Sequence, residues 1–134
     1  MSAIVLDNSV VLSWCLQDEG EPLAERAMHR VVEHGAVVPH IWWYELRNAL
    51  AMNERRGRLS PADTVSTLAD VRQLRISFDQ AHDEDVVVAL ARAQHLSVYD
   101  AAYLEVALRR TLPIASLDKR LRQAAAALEI SVFE

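Results

Sequence analysis

The run from Ala3 to Val11, AIVLDNSVV, constrains the fold more than any other stretch of the chain. Four apolar residues, Ala3 to Leu6, lead directly into a single acid, Asp7. A short run that is apolar throughout is typical of a strand buried on both faces, as in a parallel sheet. Asp7 would then lie at the carboxyl end of that strand, where open α/β sheets bind ligands. A structural alternative is that Asp7 caps the helix that follows.

Length and composition predict one globular domain over residues 1–134, since 51% of the residues are hydrophobic and 25% are charged. No apolar run reaches the roughly 20 residues needed to span a bilayer, and the N-terminus does not resemble a secretory signal. The single cysteine, Cys15, cannot form an internal disulfide. These features predict a cytoplasmic protein without a membrane span. The net charge of −5 does not by itself indicate nucleic-acid binding, and the histidine spacing does not indicate a zinc site.

Predicted strands and helices alternate along the chain. Strands are predicted at Ala3–Leu6, Ala36–Val38, Arg75–Phe78, Leu112–Ser116 and Ile130–Phe133. Helices are predicted at Val10–Leu16 with an end near Asp18–Gly20, at Glu21–Glu33, at Ile41–Arg56, from Ser60 onward, at Asp83–His95, at Asp100–Arg110 and at Lys119–Leu128. This alternation predicts an α/β fold, a three-layer α/β/α sandwich with a central, mainly parallel sheet of four or five strands.

Glu45 is an acid on the apolar face of the predicted helix Ile41–Arg56. Its neighbours three and four positions away include Ile41, Trp42 and Ala49, and none of them is basic. A buried carboxylate without a partner is costly in free energy. Either the carboxylate of Glu45 reaches water at the edge of the core, or another part of the fold compensates its charge.

Asp100 and Asp118 repeat this pattern. Asp100 lies on the apolar face of its predicted helix, whereas Glu105 and Arg109 are predicted on the solvent side. Asp118 follows a strand-like run, as Asp7 does. Both Asp100 and Asp118 could instead be helix N-caps. Four acids that converge at one edge of a sheet would repel each other unless a cation joined them. Carboxylates are the ligands that Mg²⁺ and Mn²⁺ prefer, and such a site can hydrolyse phosphate esters.

Four segments of the sequence resemble the PIN-domain ribonucleases, specifically the VapC-type toxins of bacterial toxin–antitoxin pairs. The segments are VLDNSVVLSWCL, PHIWWYELRNAL, LSVYDAAYLEVALRR and IASLDKRLRQAA, and together the resemblance covers nearly the whole chain. The second and third of these surround Glu45 and Asp100, and LSVYDAAYLEVA and SLDKRLRQAA are the most specific. Asn8 departs mildly from the family, which more often has Ala, Ser or Thr there.

The resemblance implies a PIN-like fold and Mg²⁺- or Mn²⁺-dependent cleavage of RNA that leaves a 5′-phosphate and a 3′-hydroxyl. It also implies partners: a cognate antitoxin protein, and a homodimer or a heterotetramer or larger assembly with that antitoxin. The implied catalytic and metal-binding residues are four acids: Asp7, Asp100, Glu45 and Asp118. Asp7 and Asp100 would be the principal metal ligands. Ser9 and Ser116 would support the acids by hydrogen bonds.

Three other functions remain open from the sequence. In a receiver-like phosphoacceptor domain, clustered acids bind Mg²⁺, but a lysine is expected at a strand end, and the only lysine, Lys119, begins a predicted helix. A haloacid-dehalogenase-type phosphatase needs an acid two residues after the first Asp, where this chain has Ser9. A non-catalytic PIN-like binding module would keep the fold without the chemistry, although the complete set of four acids favours catalysis.

Overall fold

The computed structural model describes residues 2–16 and 21–134, in which four parallel strands form one sheet. The strands are β1 (Ile4–Leu6), β2 (Ala36–Pro39), β3 (Ile76–Asp79) and β4 (Ile114–Ala115), in the spatial order β3-β2-β1-β4. The predicted α/β class is therefore confirmed, with four strands. The predicted fifth strand, Ile130–Phe133, contributes only an isolated parallel bridge between Ile114 and Val132. The strand order differs from the 2-1-3-4-5 order of flavodoxin-like receiver domains, which disfavours that alternative.

Two helices lie between each strand and the next in sequence, which is how a chain returns to add a parallel strand. The helices are α1 (Asn8–Leu16), α2 (Pro22–His34), α3 (Ile41–Arg55), α4 (Pro61–Arg72), α5 (Glu84–Gln94), α6 (Val98–Arg110) and α7 (Lys119–Ala127). The first helix begins two residues before the predicted start, and its predicted end near Asp18–Gly20 lies outside the described residues. None of the described helices is both long enough and apolar enough to cross a membrane.

The first residues of two helices show which side chains cap them. Ser60 is the N-cap of α4 and forms a capping box with Asp63, so the predicted helix from Ser60 onward is confirmed. The predicted start of α6 at Asp100 was wrong, because Ser97 is the N-cap and its hydroxyl accepts a hydrogen bond from the Asp100 backbone N–H at 3.1 Å. Asp100 therefore lies inside the first turn of α6, and its carboxylate is not needed to cap the helix.

Helix α6 is the central helix of the core. It packs against β1, β2, β4 and α5. All seven residues from Ala101 to Ala107 are buried, so the middle of α6 is enclosed on every side, while its two ends are exposed. On α3 the two adjacent tryptophans differ, since Trp42 is 1% exposed and Trp43 is 42% exposed. Of the two, only Trp42 packs in the core.

Candidate functional site

Asp7 lies where β1 ends, next to the end of β4. Its backbone N–H donates to the Ala115 carbonyl at 3.0 Å, which continues the pairing of the two strands. Its Oδ2 accepts hydrogen bonds from the hydroxyls of Ser9 and Ser116, each at 2.7 Å. Those hydroxyls accept backbone N–H groups of Leu117 and Asp118 at 2.9 Å. A serine has one hydroxyl proton, so each serine is oriented by the backbone and commits that proton to Asp7.

Glu45 lies half-buried on α3, on the side of the helix that faces α6. Its Oε1 accepts a hydrogen bond from the Tyr103 hydroxyl at 2.5 Å, and this is the contact through which the fold compensates the carboxylate. The ion pairs between described residues do not include Glu45. Sequence periodicity did not identify Tyr103 as the partner, because the two residues are 58 positions apart.

Asp100 and Asp118 approach the same edge of the sheet from α6 and from the turn after β4. Asp100 is half-buried. Asp118 is exposed, and its Oδ1 accepts the backbone N–H groups of Arg120 and Leu121 at 2.9 and 3.4 Å. Asp118 is therefore the N-cap of α7, as the structural alternative expected, and a capping carboxylate still has a second oxygen.

The four carboxylates interact electrostatically. Burial raises the pKa of Asp7 against the lowering effect of its two serine hydrogen bonds, and the charge of Asp118 raises it further. Burial raises the pKa of Glu45, and the charges of Asp7 and Asp100 add to this effect. Burial also raises the pKa of Asp100, together with the charges of Asp7 and Asp118, while Arg120 lowers it. The structure therefore brings together all four acids that the sequence singled out.

Among the residues that the structure describes, no ion pair neutralises these acids. The ion pairs between residues that the structure describes include none of the four carboxylates. A cluster of negative charge at a sheet edge, held by hydroxyls and backbone N–H groups instead of by cations, is suited to binding a cation.

Asp79 is a contrasting acid at the same edge, because it ends β3 as Asp7 follows β1. Its Oδ1 accepts a hydrogen bond from Arg109 Nη2 at 2.7 Å, and this bond lowers the pKa of Asp79. Arg109 also donates from Nε to Oε2 of Glu105 at 2.9 Å. Asp79 is thus a paired, structural acid, whereas Asp7 is not.

Glu105 is 1% exposed, so its predicted position on the solvent side was wrong. Arg109, which remains partly exposed, folds back by one helical turn and pairs with the buried Glu105. The sequence also failed to identify Asp79, although an acid directly after a strand-like run was the same signal that identified Asp7.

The donor set fits a hard divalent cation. The acids offer carboxylate oxygens, which Mg²⁺ and Mn²⁺ prefer. Within residues 2–16 and 21–134, no three His, Cys, Asp or Glu side chains converge closely enough to enclose an ion by themselves. Mg²⁺ typically binds one or two carboxylates and keeps several waters, so an open cluster of this kind suits it better than it suits zinc.

Comparison with known proteins gives the same fold. Residues 4–127 match the PIN domain family. The structure of PAE2754 from Pyrobaculum aerophilum is similar, with a TM-score of 0.69 and 23% identity over 92% of this chain and 86% of that one. The structure of FitAcB from Neisseria gonorrhoeae is also similar, with a TM-score of 0.60 and 19% identity over 98% and 96% of the two chains. No curated protein matches the sequence closely enough to count as a relative.

Proposed function

The chain belongs to the PIN-domain family, in which nuclease activity is typical, and on that premise we propose that it is a Mg²⁺- or Mn²⁺-dependent ribonuclease. We further propose that it is the toxin of a type II toxin–antitoxin module and acts in the cytoplasm. The observation that carries the ribonuclease proposal is a cluster of four carboxylates in which the charges of neighbouring acids raise the pKa of Asp7, Glu45 and Asp100, and in which no ion pair between described residues takes part. The cluster consists of Asp7, Glu45, Asp100 and Asp118.

The residues that would hold the ion are Asp7 and Asp100 directly, with Glu45 and Asp118 directly or through water. A divalent cation bound there would supply water activation and neutralise charge on the phosphate. The two serines fix Asp7 by donating to Oδ2, and these hydrogen bonds oppose the rise in its pKa that burial causes. In the reaction, a water oxygen forms a bond to phosphorus and the bond from phosphorus to the 3′-oxygen breaks, which leaves a 5′-phosphate and a 3′-hydroxyl.

Basic groups of α7 lie beside the acids and suit the RNA backbone. Arg120 donates to the His95 carbonyl at 2.6 Å and lies close enough to lower the pKa of Asp100. Arg122 donates to the Ser116 carbonyl at 3.1 Å. Together with Lys119 at the start of the helix, these groups form a positive rim next to a negative centre, an arrangement that can hold phosphate although the net charge is negative.

The ribonuclease proposal is tested by RNA cleavage with purified protein. Cleavage is expected with Mg²⁺ or Mn²⁺ and is expected to stop with EDTA. Asp100→Asn should reduce kcat by at least about 100-fold, since it removes charge at the metal site without changing shape. Asp85→Asn is the matched control, because Asp85 is an exposed acid in the first turn of α5. Cleavage that Asp100→Asn leaves intact would contradict the proposal.

The toxin proposal and the partner proposals need a separate experiment. Expression of the chain alone should arrest growth, and co-expression of the protein encoded by the adjacent reading frame should restore it. The restored cells should yield a complex of both proteins, in which the chain is a homodimer or part of a heterotetramer or larger assembly. Arrest that Asp100→Asn does not relieve would show that the toxicity has another origin.

A further inference from the structure

Tyr103 joins the two helices that carry Glu45 and Asp100. Its side chain is fully buried on α6, and its hydroxyl donates to Glu45 Oε1 on α3 at 2.5 Å. Asp100 lies three positions earlier on α6, so it occupies the same face of that helix as Tyr103. The hydroxyl therefore ties Glu45 on α3 to the face of α6 that carries Asp100.

The hydrogen bond distinguishes the two oxygens of Glu45. Oε1 accepts from Tyr103, whereas Oε2 accepts no hydrogen bond from any residue that the structure describes. A short bond from a hydroxyl to a carboxylate is among the stronger hydrogen bonds in proteins, and it fixes the rotamer of the acceptor. Glu45 has no ion pair with a described residue, so this bond is its main polar restraint.

Two other acids also have one carboxylate oxygen held by hydrogen bonds from the protein. Asp7 commits Oδ2 to two serine hydroxyls, and Asp118 commits Oδ1 to two backbone N–H groups. Tyr103 does for Glu45 what the serines do for Asp7, which is to hold one oxygen on the protein. The second oxygen of Glu45 and that of Asp118 then accept no hydrogen bond from a described residue.

We propose that Tyr103 is a positioning residue of this site, whose hydroxyl holds Glu45 by Oε1 so that Oε2 alone is offered to a divalent cation or to its water. This inference rests on the proposed function, because it assumes that the cluster binds a cation. It predicts that Glu45 does not bind the ion through both oxygens.

The test uses Tyr103→Phe, which removes only the hydroxyl, and Tyr99→Phe as the matched control, because Tyr99 is 59% exposed on the same helix. We expect Tyr103→Phe to weaken Mn²⁺ binding, followed by electron paramagnetic resonance, by about 10-fold, the effect typical of residues that orient a ligand. It should lower kcat for RNA cleavage more than it changes KM. Tyr99→Phe should leave Mn²⁺ affinity unchanged, and an equal effect of the two variants would overturn the proposal.

A double-mutant cycle separates positioning from general loss of structure. In a Glu45→Gln background, Tyr103→Phe should change Mn²⁺ affinity by less than about 2-fold, since residues that act as a unit are not additive. A full further loss in that background would show a merely structural role and would overturn the proposal.

A further readout leaves position 103 unchanged and so does not depend on the folding of a variant there. The chain has three tyrosines, so ¹³Cζ-labelled tyrosine gives three resonances. The Tyr103 resonance should move on Mg²⁺ addition in the wild type and stay in place in Glu45→Gln. A wild-type protein that binds Mg²⁺ without moving this resonance overturns the inference and leaves the proposed function standing. A wild-type protein that binds neither Mg²⁺ nor Mn²⁺ refutes both.

Discussion

Removal of the Arg109 guanidinium should destabilise the fold through two acids, Asp79 and Glu105, that are not part of the proposed metal site. Arg109 makes hydrogen bonds to both Glu105 oxygens and to both Asp79 oxygens, at 2.7 to 3.2 Å. The Glu105 and Asp79 side chains are only 1% and 6% exposed. Arg109→Met keeps much of the apolar stem and removes the charge, so it leaves two buried carboxylates short of a partner.

The expected loss of unfolding free energy is about 3 kcal/mol, at the lower end of the range for breaking a buried ion pair. The lower end applies because Asp79 keeps Arg110 at 3.5 Å and the Ala81 N–H at 2.9 Å. Among the described residues, Glu105 keeps the Asp83 N–H at 3.3 Å as its one remaining partner, so most of the loss is expected there. Urea unfolding at pH 7, with the slope m unchanged, measures this difference.

Arg110→Met is the matched control, since Arg110 is 43% exposed and makes one ion pair. Its expected loss is below about 1 kcal/mol. Because Arg109 lowers the pKa of Asp79, the stability from Asp79 is present above its unfolded pKa of about 3.9 and is lost as pH falls through the lowered folded value. The difference in unfolding free energy between the wild type and Arg109→Met should therefore become smaller at acid pH. Equal losses for Arg109→Met and Arg110→Met at pH 7 would refute the reasoning.

Three further predictions concern the proposed site, the single thiol and one helix start. Burial and two neighbouring acids raise the folded pKa of Asp100, so its favourable contribution is complete below the unfolded pKa and is lost as pH rises through the folded value. Asp100→Asn should consequently raise the melting temperature in EDTA at pH 7.5 and not at pH 4, and a lower value at pH 7.5 would contradict this. Burial raises the pKa of Cys15 to about 11, so a thiol reagent at pH 8 should label the native protein far more slowly than the urea-unfolded protein; equal rates would disprove this. Ser60→Ala should lower the free energy of unfolding in urea by about 1 kcal/mol, because it removes a capping box. Ser66→Ala, an exposed change within α4, should lower it by less than about 0.5 kcal/mol. Equal losses for the two variants would count against the cap.

The position of the acids could be predicted because it depends on local pattern. Asp7 and Asp118 follow buried apolar runs, and parallel strands end at one edge of their sheet, so adjacent strands β1 and β4 bring these acids together. Glu45 stood out because an acid on an apolar helix face needs a reason to be there. These inferences use only residues within a few positions of each acid.

The partners of the acids could not be predicted, because they come from distant parts of the chain. Tyr103 reaches Glu45 across 58 positions, and Arg109 reaches Asp79 across 30. Nothing local distinguishes the paired Asp79 from the unpaired Asp7. The start of α6 was different, since Ser97 followed by Asp100 three residues later is a capping pattern that the sequence already contained.

The most direct test is an anomalous-scattering map of crystals grown with Mn²⁺. The proposed ribonuclease site predicts one or more Mn²⁺ peaks between Asp7 and Asp100, at about 2.1 Å from an oxygen of each carboxylate, and no such peak in Asp100→Asn. Wild-type crystals in which Mn²⁺ binds elsewhere while the space between Asp7 and Asp100 stays empty would contradict the central claim.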